Sequence, residues 1–229
     1  MSEDDSIEVI KYQTRCKPID DLLGGGIEAG TITQIYGEAG SGKTNLCLQL
    51  AIECVKSGKK VIFIDTEGFS PERFSQIAGE KAREIAQDIF IFEPLTFEEQ
   101  WSAIKDAEKL IKKNVGLIII DSLVSYYRFE LNEERSLQLK RELANQLTHL
   151  LGIARKYNIA VAITNQVYTD VATDELKAVG GTILEHLSKV IIKLEKLGES
   201  GKRRATIQKH RSRPEHLSAE FTITDKGLF

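Results

Sequence analysis

Eight consecutive residues, Gly37, Glu38, Ala39, Gly40, Ser41, Gly42, Lys43 and Thr44, fit the phosphate-binding P-loop pattern at every fixed position. Glycines let a backbone wrap closely around phosphate groups, and successive N–H groups at a helix N-terminus supply positive potential. The Lys43 ammonium suits the outer phosphates, and the Thr44 hydroxyl suits a magnesium ion. The expected cofactors are ATP and Mg2+, held by Gly37 to Thr44 together with Asn45.

Three further residues extend that chemistry. Asp121 ends the aliphatic run Leu117 to Ile120, where a second carboxylate would hold the metal through water; the plainer reading is an acid that merely ends a strand. Glu67 follows the strand that ends at Asp65, on the same ligand-binding edge of an open α/β sheet. A carboxylate there can polarise a water for in-line attack on a γ-phosphate, which makes hydrolysis the natural reaction. Gln166, just beyond the strand Ile159 to Thr164, is placed to hydrogen-bond that phosphate and report its presence to the following loop.

The elements that must position these residues alternate. Thr31 to Tyr36 reads as a β-branched strand, and Lys43 to Ser57 as a helix apolar on most sides, closed by Gly58. Strands are expected over Val61 to Asp65, Asp88 to Glu93, Leu117 to Ile120 and Ile159 to Thr164. Helices are expected over Pro71 to Ala86, Phe97 to Lys113 and Glu133 to Tyr157. After Gly180 the rhythm changes to strands joined by short turns, Lys189 to Glu195, Arg204 to Lys209 and Ala219 to Thr224. The pattern predicts an α/β fold with a mostly parallel, twisted sheet, helices on both faces and an antiparallel C-terminal edge.

Composition narrows the function. A chain of 229 residues, 41% hydrophobic and 28% charged, suits one soluble core, taken as residues 1–229 with 1–17 as a short lead. No apolar run approaches membrane length, and the acidic start Met1 to Glu8 lacks a secretory pattern, so a cytoplasmic location is expected. Cys16, Cys47 and Cys54 show no metal-like spacing and read as buried thiols. A net charge of −3 argues against coating nucleic acid by bulk electrostatics. The local exception is Lys202, Arg203, Arg204, Lys209, Arg211 and Arg213, whose first three are the DNA-binding candidates; a solvated hairpin face is the alternative.

These residues, in this order, resemble the RecA-family recombinase core. The likeness rests on Gly24-Gly25-Gly26 before the first strand, the P-loop, Asp65-Thr66-Glu67-Gly68, Pro71-Glu72-Arg73, Leu117 to Ser122, Thr164-Asn165-Gln166-Val167 and Gly180-Gly181. It implies a RecA-like fold, Glu67 as catalytic glutamate, Gln166 as γ-phosphate sensor, and Lys43 among the catalytic groups. It also implies Arg73 packing on adenine, and Lys209 and Arg211 as a basic finger reaching the ATP of an adjacent subunit.

Two segments resemble the family's DNA-binding loops, Phe129 to Arg135 and Val167 to Val179. The second carries Asp170, Asp174 and Glu175 against the single Lys177, a poor surface for phosphates. The family's N-terminal helical domain and its Phe-x-x-Ala linking segment have no counterpart here. The resemblance therefore implies an accessory protein of homologous recombination and DNA repair, with weak DNA-dependent ATP hydrolysis. Its implied partners are single-stranded or branched DNA, the main recombinase RadA and a Holliday-junction resolvase, with a homodimer left open. The alternative is a nucleotide-switched adaptor with little catalysis.

Overall fold

The computed structural model describes residues 9–131, 134–170 and 175–229, with the backbone alone over the described part of 169–178. Its centre is a nine-stranded sheet. In chain order the strands are β1 (Lys11–Tyr12), β2 (Ile27–Glu28), β3 (Ile32–Gly37), β4 (Lys60–Asp65), β5 (Ile89–Phe92), β6 (Val115–Asp121) and β7 (Ala160–Asn165). They continue with β8 (Val167–Asp170), β9 (Glu175–Ala178), β10 (Val190–Lys196), β11 (Lys202–Lys209), β12 (Ser218–Thr224) and β13 (Gly227–Leu228). The helices are α1 (Lys17–Leu23), α2 (Lys43–Lys56), α3 (Pro71–Ala78), α4 (Ala82–Ala86), α5 (Phe97–Leu110), α6 (Ser125–Glu130), α7 (Ser136–Tyr157) and α8 (Gly181–Leu187).

Across the large sheet the order is β13-β12-β11-β10-β3-β7-β6-β4-β5. β10, β3, β7, β6, β4 and β5 run parallel, while β11, β12 and β13 are added antiparallel. The expected antiparallel edge is present, and its first strand, β10, is also parallel to β3. Two smaller antiparallel pairs are β1 with β2 and β8 with β9.

Burial explains why β6 is aliphatic throughout: all seven of its residues are buried, as in a parallel strand covered on both faces. Leu117 and Ile119 point into one core with Leu46, Leu50 and Cys54 of α2, whereas Ile118 and Ile120 point into the other with Leu143, Leu147 and Leu150 of α7. The three cysteines are buried free thiols in the α2-side core.

The observed elements depart from the expected ones where a short segment bends the chain. The helix expected over Pro71 to Ala86 is two helices, because the backbone leaves helical geometry at Gly79, where φ is 68°. Ser70 caps its start, accepting from Arg73 N at 3.2 Å, with Pro71 in the first turn. The short elements α1, α6, α8, β1, β2 and β13 and the β8–β9 pair add to the expected set. Part of each expected DNA loop, residues 132–133 and 171–174, lies outside the described residues, as do Met1 to Glu8 and the side chains of Asp170, Asp174, Glu175 and Lys177. No helix of the described residues is long and apolar enough to cross a membrane.

Candidate nucleotide-binding site

The parallel strands bring their C-terminal ends to one edge: Gly37 on β3, Asp65 on β4, Asp121 on β6 and Asn165 on β7. Ligands of open α/β sheets bind at such an edge. The P-loop leaves β3 at Gly37 and enters α2 at Lys43. It is packed tightly against β10, since a Cβ on Gly37 would lie 2.2 Å from the Leu194 carbonyl oxygen.

Within the loop the cation caps the backbone. Lys43 Nζ donates to the carbonyls of Gly37 at 2.9 Å and Glu38 at 3.1 Å. Burial lowers the Lys43 pKa, and the charges of Glu67 and Asp121 push back against that shift. An ammonium half-desolvated on neutral carbonyls gains from an anion, so the geometry is primed for phosphate.

Asp121 is fully buried. Its Oδ1 accepts from the Thr164 hydroxyl, while Oδ2 has no hydrogen-bond partner among the described residues. Burial raises the Asp121 pKa, and the Thr164 and Thr44 hydroxyls oppose it, Thr44 doing so without a hydrogen bond to Oδ2. A buried carboxylate oxygen without a partner beside a threonine hydroxyl fits a hydrated divalent cation. Ser41 Oγ is likewise buried and unpartnered in the loop. Among the described residues, no three His, Cys, Asp or Glu side chains gather as a cage for a metal of their own. The donor set thus suits a cation that arrives with phosphates.

Glu67 is exposed at the same edge, and its Oε1 accepts from Gln166 Nε2 at 2.8 Å. Gln166 Oε1 in turn accepts from Arg128 Nη1 of α6 at 3.1 Å. Thr66, between Asp65 and Glu67, accepts from Ser122 N at 2.9 Å and donates to Ser122 O at 2.8 Å, which fastens the Glu67 turn to the end of β6. Asp65 accepts from Gly68 N at 2.9 Å and closes that turn.

Arg73 lies at the α2 side of the site. It donates to Asn45 Oδ1 at 2.8 Å, to the Thr224 carbonyl at 2.7 Å and to the Asp225 carbonyl at 2.9 Å. Lys43, Thr44, Asn45, Glu67, Arg73, Asp121 and Gln166 are therefore brought to one edge. Lys209 and Arg211 are not, because β11 runs antiparallel to β10 and carries its end to the opposite edge, where Lys209 Nζ donates to the Glu185 carbonyl of α8.

The basic stretch, close in sequence, separates in space for the same reason. Lys202, Arg203 and Arg204 lie at the P-loop end of β11, Lys202 roughly 24 Å along the strand from Lys209, and Arg203 meets the loop at Gly40. Acids meet them there, Glu199 on Lys202 and Glu220 on Arg204 at 2.9 Å. Residues that sequence reasoning missed are Arg128, Thr66 and Lys196. Nothing in local pattern marks Arg128 or Lys196, since Arg128 reaches the site from the short helix α6 and Lys196 through the pairing of β10 with β3.

A family model described as Rad51 matches residues 5–229. The chain belongs to the Rad51 family. It is 62% identical over 225 residues to the DNA repair and recombination protein RadB of Methanococcoides burtonii, covering 97% of this chain and 100% of that one. It is 50% identical over 217 residues to the protein of the same name from Archaeoglobus fulgidus, covering 94% of this chain and 96% of that one. A solved structure described as the crystal structure of the RadB recombinase superposes with a TM-score of 0.83 at 41% identity, covering 95% of this chain and 98% of that one. Rad51-family proteins generally use ATP with Mg2+.

Proposed function

We propose that this protein is a cytoplasmic, ATP-binding and weakly hydrolysing accessory protein of homologous recombination and DNA repair, built as a single core, which binds DNA and assists the recombinase RadA. The observation that carries the reading is the convergence at one sheet edge of a capped phosphate loop, a buried unpartnered carboxylate oxygen and an exposed glutamate held by a glutamine. Relatives named as DNA repair and recombination proteins support the cellular role.

Mg2+·ATP, when bound, would supply a polarised γ-phosphoryl group for transfer to water, with ADP as the leaving group. The residues of the chain supply the rest. Lys43, which donates to the Gly37 and Glu38 carbonyls, would turn to phosphate oxygens whose orientation the loop amides would fix. Thr44 and Asp121 would hold the cation, Asp121 through water, and the unpartnered Asp121 Oδ2 is available for that role. Glu67 orients water, and Gln166 joins Glu67 to Arg128. That chain links the reacting edge to α6, which leads into one DNA-loop candidate, and to β8, which begins the other. Lys209 and Arg211 complete the charge on a neighbouring subunit's site, which accounts for weak turnover by the isolated chain.

A second reading, the nucleotide-switched adaptor, draws on one feature: Glu67 already accepts from Gln166, so the bond that senses nucleotide also restrains the base. ATP turnover measured with and without single-stranded DNA decides between them. Stimulation of several-fold supports the accessory ATPase; equal, near-zero rates support the adaptor.

A further inference from the structure

Two cations sit on the outer wall of the phosphate loop although they stand about 160 residues from it in sequence. Lys196 and Arg203 face each other directly across the β10–β11 pair. Like charges in that position destabilise an antiparallel pair, so their placement calls for a compensating interaction. It is found on the loop. Arg203 Nε donates to the Gly40 carbonyl at 3.0 Å and Nη1 to the Lys202 carbonyl at 2.8 Å. Lys196 Nζ lies 3.9 Å from Glu38 Oε2, and its stem would be 3.2 Å from a Cβ on Gly40.

Gly40 is where the loop needs such a hold. Its φ is 73°, a left-handed conformation that glycine leaves as readily as it enters. The Gly40–Ser41 peptide is planar, so fixing its oxygen on Arg203 fixes its N–H on the other side of the loop. That N–H donates to the Glu38 carbonyl at 3.2 Å, the same oxygen that Lys43 caps. One peptide thus connects Arg203 to the group that must turn to phosphate.

We infer that Arg203, with Lys196 beside it, is a positioning residue for the nucleotide: it holds the Gly40–Ser41 peptide of the phosphate loop in its receptive orientation without touching phosphate itself. The inference rests on the reading of the loop as an ATP site. It also commits two of the five Arg203 guanidinium N–H donors to backbone carbonyls, Nε on Gly40 and Nη1 on Lys202.

The test is titration of the full chain with trinitrophenyl-labelled ATP and ADP in Mg2+, at roughly 0.3 M salt so that distant charge effects are screened. For R203Q, both affinities fall by the same five- to twentyfold, R203K recovers most of the loss, and the ligand-free melting midpoint stays put. Lys17→Gln, an equal change of charge at an exposed side chain of α1, leaves both affinities unchanged. Should R203Q prove unstable, K196Q is the second variant and weakens both nucleotides two- to threefold. Unchanged affinity in the readable variant overturns the inference. So does a loss confined to ATP, which would mean direct contact with the terminal phosphate. A wild-type chain that takes up neither nucleotide overturns the ATP reading and this inference with it, whereas normal wild-type uptake beside an indifferent R203Q overturns the inference alone.

Discussion

At the scale of single residues, Asp121 carries a conflict between stability and function. Its carboxyl is buried with one oxygen unpartnered, and burial raises its pKa. The folded chain therefore binds that proton more tightly than the unfolded chain, so the group favours folding at low pH and the favour is lost as pH rises through its folded value. Asp121→Asn keeps an acceptor for Thr164 and removes the buried charge. We expect it to stabilise the ligand-free protein at neutral pH by about 1–3 kcal/mol in urea unfolding, while Mg2+-dependent nucleotide binding is lost. A destabilised D121N would contradict the sign. The same shift predicts that Mg2+-dependent affinity declines on acidification at a pH above the ordinary aspartate range, a decline that nucleotide titrations across pH would reveal.

At the scale of elements, the C-terminal hairpin is fastened to the nucleotide helix. Gln49 of α2, itself buried, donates to the Leu228 carbonyl at 3.1 Å and accepts from its N–H at 2.8 Å. Gln49→Leu keeps the volume and orphans both groups, and a loss of about 2 kcal/mol is expected in urea unfolding; no change would show the hairpin to be unattached. Contacts of this kind explain what the sequence made legible. β3, α2, β6 and Asp121 are long or strongly patterned, and their chemistry follows from local order. The neighbours of the loop do not, because Lys196, Arg203 and Ile223 reach it only once β10 pairs with β3 and β11 and β12 are added beyond it. The divided helix at Gly79 and the six-residue α6 escaped for a different reason: each is too short for its periodicity to stand out.

At the scale of the molecule, the reversal of β11 places Lys209 and Arg211 at the edge opposite to the chain's own P-loop. The finger we propose at that edge could reach only a neighbour's site. Turnover per molecule should therefore rise several-fold as protein concentration increases or a partner is added, and Lys209→Ala should abolish the rise without affecting nucleotide affinity. A rate per molecule independent of concentration and partner would refute the shared site. The proposed activity depends on the loop from Gly37 to Thr44 receiving a triphosphate. Equilibrium dialysis with labelled ATP measures that directly: Mg2+-dependent uptake of one nucleotide per chain is expected, weakened about ten- to a hundredfold in Lys43→Ala, the loss anticipated for one charge-assisted contact. Absence of uptake by the wild type, or equal uptake by the variant, would contradict the account.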